Sequence, residues 1–423
     1  RGLGDVYKRQ VQGIFQVEGA GFRRVLAEMQ PSRYEHIVAV LALYRPGPME
    51  HIPTYIRRMH GEEQVTYRHP LLKPILEETF GIIVFQEQII QIATELAGYE
   101  PSEADKIRKA VGKKIRKDLE NHRAKFVSGS VANGIPQQTA EEIFDDIEYF
   151  ARYGFNKGHA AVYAIITVQT AFLKAHYPVE YMTALLTVEQ GKTDRVGLLI
   201  AEARRMGIEV LPPNVNFSGM SFTIEDEPQE AKGPAIRYGL SAIKNVGEGP
   251  VEAILTAREQ GGPFADIDDF CQRVDLRQVN RRALECLIKA GALSPFGTRS
   301  QLLAVMDRMI SISQQAHGAA QQYTMFDMPA FAATARLASD MPAVAEVSRK
   351  EMLSWEKELV GAYISDHPLS RVWTHLEESI TALSGQIDAS MAGRNVTIAG
   401  LVTYVRPHVT QKGEAMAFAG LED

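Results

Sequence analysis

Apolar residues recur at helical spacing in four runs of the first half of the chain: Phe22 to Met29, His36 to Leu43, Gln88 to Ala97 and Ala140 to Phe150. A segment patterned this way buries its apolar stripes by packing helix on helix. Residues 11–212 are therefore expected to be mostly helical. Arg45-Pro46-Gly47-Pro48 must break a helix, because two prolines flank a glycine. Pro101-Ser102-Glu103-Ala104-Asp105 reads as a helix start with Ser102 as its N-cap. Leu211-Pro212-Pro213-Asn214 marks a boundary.

The pattern then changes. Ser221 to Ile224 and Ala235 to Tyr238 alternate as a small strand pair. Short helices with glycine hairpins follow to about residue 297. A stretch rich in Gln, Ala, Ser and Pro, from about 311 to 347, reads as a mobile linker. A helix is expected over Val347 to Tyr363. Val396 to Val402 and Ala415 to Phe418 alternate as strands of a small β-barrel. Arg1 to Gln10 do not read as a domain start, and Leu421-Glu422-Asp423 close on unfinished β structure, so a piece of a longer polypeptide is expected.

Composition removes several classes. At 423 residues the chain is too long for one ordinary core. With 46 Lys and Arg against 52 Asp and Glu, the net charge of −6 excludes a wholly basic nucleic-acid coat but not local basic patches. Two cysteines, Cys271 and Cys286, make neither a zinc site nor a disulfide framework, which suits a cytoplasmic setting. The most apolar stretch, Ala160 to Leu173, is interrupted by Thr167, Gln169 and Thr170, so no membrane span is expected.

Four constellations could carry chemistry. Ala104 to Phe126 holds nine Lys and Arg, among them Arg108, Lys113 and Lys114, against Asp105, Asp118 and Glu120. Such a run is either a solvated helix face or a contact for polyphosphate or nucleic acid. Tyr153 to Tyr163 sets aromatics beside Asn156, Lys157 and His159 at a helix start, which suits a base to stack on and a phosphate to hold, or a plain structural turn. Lys244-Asn245-Val246-Gly247-Glu248-Gly249 resembles the hairpin of a helix–hairpin–helix motif, whose exposed amides take a phosphate without reading sequence. Asn280-Arg281-Arg282 opens a second, degenerate unit. Gln322-Tyr323-Thr324-Met325-Phe326 suits a short linear motif in which an apolar pair enters a greasy pocket. Walker A and His-Glu-x-x-His sequences are absent, and Gly19-Ala20-Gly21 lacks the third glycine of a dinucleotide fingerprint.

Together these stretches resemble the C-family replicative DNA polymerases, the family of the bacterial DNA polymerase III alpha subunit. The resemblance rests on Gly13 to Glu18, Ala42 to Met49, Gly81 to Gln88, Arg108 to Lys114, Tyr153 to Tyr163, Leu173 to Pro178, Gly239 to Gly249, the Gln322 pentapeptide and Gly361 to Leu369. It implies a mainly α, multi-domain chain with small β elements. Residues 1–10 would be a non-native leader, 11–212 the palm edge and fingers, and 213–300 a tandem helix–hairpin–helix DNA-binding region. Residues 301–346 would be a linker with the sliding-clamp motif, 347–390 a helical connector and 391–423 the start of a truncated OB-fold.

The resemblance further implies an enzyme that adds dNMPs from dNTPs to a primer 3′-hydroxyl by two-metal phosphoryl transfer. Its Mg²⁺ would be held by palm aspartates upstream of this chain, so no catalytic residue is expected here and the piece alone would be inactive. Arg108, Lys113, Lys114, Tyr153, Phe155, Asn156, Lys157, His159 and, less directly, Arg45 and Gln86 would contact the nucleotide. Lys244, Gly247, Gly249, Arg281 and Arg282 would hold primer–template DNA. Gln322, Met325 and Phe326 would bind the sliding clamp, and other polymerase III holoenzyme subunits are implied as partners. The alternative is a non-catalytic DNA-binding and clamp-tethering module.

Overall fold

The computed structural model describes residues 11–112, 116–151, 153–229, 231–318, 337, 340–366, 368–369, 372, 376, 379–382, 387, 391–410 and 413–422; the side chains of 108, 111, 116, 117 and 422 are also outside the description. The chain divides into two compact units, residues 1–181 and 182–423. The first unit thus ends earlier than the boundary expected at 212, within a helix and ahead of the Pro212-Pro213 pair.

The first unit is helical, as the periodicity requires. Its helices are α1 (Ala20–Met29), α2 (Tyr34–Leu43), α3 (Ile52–Met59), the one-turn α4 (Lys73–Leu76), α5 (Gln86–Ala97), α6 (Pro101–Gly112), α7 (Arg116–Ala132), α8 (Gln137–Ala151) and α9 (Lys157–His176). All four periodic runs lie inside helices. Helix α6 starts at Pro101 itself, so Ser102 is already within the first turn and is not the cap. Proline needs no partner for a missing N–H at that position.

Two apolar cores result. One gathers Leu26, Ile37, Leu43, Tyr55, Ala160 and Ala164, joining α1, α2, α3 and α9. The other gathers Ile89, Ile92, Phe126, Ile143 and Phe144, joining α5, α7 and α8. Helix α2 buries seven of its ten residues, while α9 buries a small-residue stripe of Ala160, Ala164, Thr167 and Ala171 together with Lys174. Small residues let α9 lie close to α2 and to the segment before α1, where Thr167 Oγ1 bonds the Phe15 carbonyl at 3.2 Å.

The second unit opens with α10 (Pro178–Glu189), which crosses the boundary, and α11 (Thr193–Arg205). The expected strand pair is present as β2 (Thr223–Glu225) and β3 (Ala235–Arg237), antiparallel, and a third strand, β1 (Val210–Leu211), adds to β3 in parallel. Residues 210–211 therefore belong with this sheet. The sheet buries Arg237, whose guanidinium bonds Glu225 at 2.7 and 3.0 Å and the Pro212 carbonyl at 3.0 Å.

Helices α12 (Glu248–Gly261), α13 (Ile267–Arg273), α14 (Arg281–Lys289), α15 (Arg299–Gly318) and α16 (Arg349–Val360) follow. Helix α15 corrects the expected linker. Residues 301–318 are helical, because Leu302, Val305, Met306, Met309 and Ser313 form a buried face. Within 347–390, α16 is capped by Ser348, and Glu356 fixes its end by pairing with Arg299 at 2.7 Å and accepting the Ile364 and Ser365 amides. Strands β4 (Leu401–Val409) and β5 (Ala415–Glu422) form one antiparallel ribbon with a register shift between Val402 and Tyr404. Residues 396–400, expected in a strand, lie outside it. Cys271 and Cys286 are buried free thiols. Among the described residues no helix is long and apolar enough to cross a membrane.

Candidate functional site

The turn between α8 and α9 is pinned to the start of α5. The Phe155 amide bonds the Val84 carbonyl at 3.2 Å and the Gln86 amide bonds the Phe155 carbonyl at 2.9 Å, a one-residue parallel bridge. Gln86 Nε2 adds a bond to the Gly154 carbonyl at 2.9 Å. Gln88, fully buried, accepts the Val84 and Phe85 amides on one oxygen and donates to Thr79 Oγ1 and the Ile75 carbonyl. Its polar atoms are thus satisfied, as burial requires.

This scaffold presents a ladder of rings. Phe155 and His159 are 5.4 Å apart, His159 and Tyr163 4.2 Å, and Tyr163 and Phe15 5.4 Å. Beside the ladder lies a pocket of about 420 Å³ lined by Gln16, Gly19, Phe22, Tyr44, Arg45, Phe155, His159 and Tyr163, among others. Gln16 holds a left-handed φ of 66° there, an uncommon conformation for a residue with a side chain.

Arg45 supplies the charge of this pocket. Its guanidinium sits 4.3 Å from the Phe155 ring centre and donates to the carbonyls of Ala42 at 2.9 Å and Tyr153 at 2.8 Å. It makes no ion pair among the described residues. Burial lowers its pKa from the ordinary arginine value, yet arginine remains charged at neutral pH. The Pro46-Gly47-Pro48 break serves this placement. Gly47 has φ 100°, and a Cβ there would meet the Tyr153 ring at 2.7 Å.

The other expected nucleotide contacts divide. Phe155, His159 and Arg45 line the pocket. Tyr153 packs on Gly47 and Asn156 caps α9 by accepting the His159 amide at 2.7 Å, so both shape the turn without lining the pocket. Lys157 is already engaged: Glu78 takes its ammonium at 2.7 Å and Glu87 takes its amide at 3.0 Å. Gln86 is a brace. Arg108 lies on α6 with its side chain outside the described residues, as are Lys113 and Lys114 altogether. Nearby cations of the basic run are neutralised: Lys109 by Asp105, Lys125 by Glu103, and Arg123 by Asp145 and Glu148. Gln16, Gly19, Phe22 and Tyr44 were not expected as pocket residues. Only the Gly13 to Glu18 and Ala42 to Met49 stretches pointed toward two of them.

In the second unit Asn245, in the left-handed region at φ 67°, turns the chain ahead of α12. Gly247 is the N-cap of α12 at φ −82°, and a Cβ at Gly247 or Gly249 would meet no described atom within 4 Å. Neither backbone angle nor packing requires glycine at 247. The side chain of Asn245 contacts Cys286 Sγ at 3.8 Å, which sets the hairpin beside α14 and Arg282. Lys244 is exposed and 3.7 Å from Glu358; Arg281 pairs with Asp307, and Arg282 is exposed. Gln322, Met325 and Phe326 lie outside the described residues.

A family model described as the bacterial DNA polymerase III alpha subunit finger domain matches residues 5–134, which takes in residues 5–10 of the supposed leader. A helix–hairpin–helix motif model matches residues 207–302, reaching back to include β1. A DNA polymerase III subunit alpha of Thermus aquaticus is 43% identical over 98% of this chain and 34% of its own length. Those of Chlamydia pneumoniae and Vibrio cholerae are 39% and 38% identical over 97% and 100% of the chain. The chain belongs to the bacterial DNA polymerase III alpha subunit family. It spans about a third of the length of these relatives. Among the described residues no three His, Cys, Asp or Glu side chains come together to hold a metal ion.

Proposed function

We propose that this chain is the nucleotide-, duplex- and clamp-contacting part of a cytoplasmic, template-directed DNA polymerase that extends a primer 3′-hydroxyl with dNMPs from dNTPs. The observation that carries the reading is the Arg45 pocket: an arginine with no carboxylate partner among the described residues beside a ladder of aromatic rings, in a cavity of about 420 Å³. The rings offer stacking faces for a base and sugar, and the guanidinium matches phosphate oxygens. The open Gly247–Gly249 hairpin supplies amides for a duplex phosphate, and exposed Lys244 and Arg282 add charge near it. In this reading the Mg²⁺-binding carboxylates belong to another region of the longer polymerase. Gln322, Met325 and Phe326 dock to the sliding clamp through the short-motif chemistry their sequence offers, and other holoenzyme subunits are further partners.

Titrating the 423-residue chain with a dNTP and with primer–template DNA tests the reading. The expected result is that Arg45→Ala weakens dNTP binding by about tenfold or more, the worth of a charge-assisted hydrogen bond, while DNA affinity holds. An unchanged dNTP affinity refutes the pocket assignment.

A further inference from the structure

The start of α9 is a place where an anion would be expected, since unpaired amides and the helix dipole favour negative charge there. His159 and Ala160 of its first turn also line the pocket. Yet the Lys157 amide, the His159 amide and the Lys157 ammonium at that end are already answered from within. The Lys157 amide donates to both Glu87 oxygens at 3.0 Å, the His159 amide donates to Asn156 Oδ1 at 2.7 Å, and the Lys157 ammonium holds both Glu78 oxygens at 2.8 and 2.7 Å. At the pocket's other charged feature the reverse holds. Arg45 donates only to carbonyls and keeps its full charge.

We propose that Glu87 is a positioning residue of this pocket: a resident anion at the start of α9 that braces the 153–157 turn and turns the ligand's phosphates away from that helix end, toward Arg45. The inference rests on the nucleotide reading above and adds a direction to it. A polyphosphate placed at the α9 end would face two fixed carboxylates, Glu87 and Glu78, in a partly buried setting where like charges repel strongly. Placed at Arg45, it meets a guanidinium without a competitor. The base and sugar then fall along Phe155, His159 and Tyr163. The neighbours of Glu87 support a fixed role. Gln86 bonds Gly154 and Gln88 locks the preceding Val84–Phe85 backbone, so the carboxylate is carried on a rigid helix start.

The test is calorimetric titration of the chain with dATP, deoxyadenosine and inorganic tripolyphosphate. It compares wild type, Arg45→Gln, Glu87→Gln and the double variant, with thermal melting recorded for each. Glutamine at 87 keeps an oxygen for the Lys157 amide and removes the charge. Arg45→Gln is expected to weaken dATP and tripolyphosphate by about tenfold or more and to leave deoxyadenosine unchanged. Glu87→Gln is expected to strengthen tripolyphosphate several-fold, and the double variant to regain part of the Arg45→Gln loss. Glu78→Gln frees Lys157 without touching the helix cap, and a rise is expected there too, which keeps the test sound if Glu87→Gln fails to fold. Unchanged tripolyphosphate affinity in both charge-removing variants overturns the inference, as does an equal loss for all three ligands, the mark of a merely structural brace. Wild type that binds neither dATP nor tripolyphosphate overturns the nucleotide reading itself, an outcome distinct from a binding wild type with indifferent variants.

Discussion

Gly247→Ser should separate DNA binding from folding. Gly247 has φ −82° and ψ 174°, an extended conformation open to any residue, and a Cβ there meets no described atom within 4 Å. It is also the N-cap of α12, where serine is at least as good as glycine, by a few tenths of a kcal/mol. The folded chain should therefore lose nothing, and Tm should move by no more than about 1 °C, since about 1 kcal/mol shifts a unit of this size by roughly 2–4 °C. Binding should respond otherwise. The new hydroxyl reaches for the Gly249 amide, the N–H a phosphate would use, and the added Cβ stands where the backbone would approach the strand. Losing one hydrogen bond to a charged group costs about 1.5–3 kcal/mol, which is roughly 10- to 150-fold in Kd. Fluorescence anisotropy with duplexes of two unrelated sequences measures this beside a thermal melt. The loss should be equal for both duplexes, because phosphates carry no sequence information. Unchanged affinity with an unchanged melt would refute the argument that the glycine is kept for an external partner. A lowered melt would refute the claim that the fold does not need it.

Other variants test the packing that positions these features. Glu356→Ala leaves Arg299 buried without its carboxylate and frees two amides, so it should cost about 3–5 kcal/mol, read as a fall in the urea midpoint. Gly129→Ala puts a Cβ 2.3 Å from the Ala97 carbonyl where α7 meets α5, and should cost about 1–3 kcal/mol by the same measurement. Burial, with Asp268 and Asp266 adding to it, pushes the Cys271 thiol up to about 12, so at pH 8 its alkylation should follow global unfolding; reaction at the rate of a free thiol would contradict its placement. Arg277 holds the Asp275 carboxylate well below the usual range, first through their hydrogen bonds. The sign follows: the folded pKa lies below the unfolded one, so the pair stabilises above about pH 4, the unfolded carboxylate value, and the gain fades as pH falls through the folded pKa. Asp275→Asn should therefore lower Tm at pH 7 and converge with wild type in strong acid.

What the sequence made legible, and what it hid, follows from the range of the interactions. Helical periodicity is local, so the four runs fell inside α1, α2, α5 and α8. The linker was misread up to Gly318 because Gln and Ser dominate the end of α15, while the burial of Met309 and Ser313 comes from partners such as Val274 that only the fold brings near. Charge was legible and its compensation was not. Lys157 looked free for a phosphate, but its partner Glu78 lies 79 positions earlier. Arg45, set in a helix-breaking turn, looked weaker, yet it makes no ion pair among the described residues. Glycines show the same limit most clearly. Gly98 and Gly361 hold φ 67° and 86°, and a Cβ at Gly361 would also strike the Thr193 carbonyl at 2.1 Å. Those two glycines are explained by the fold. Gly247 has neither a forbidden angle nor a crowded neighbour. In the sequence all three are one letter, and only the structure shows that Gly247 has neither a left-handed angle nor a crowding neighbour among the described residues, which is the ground for testing it against an outside partner.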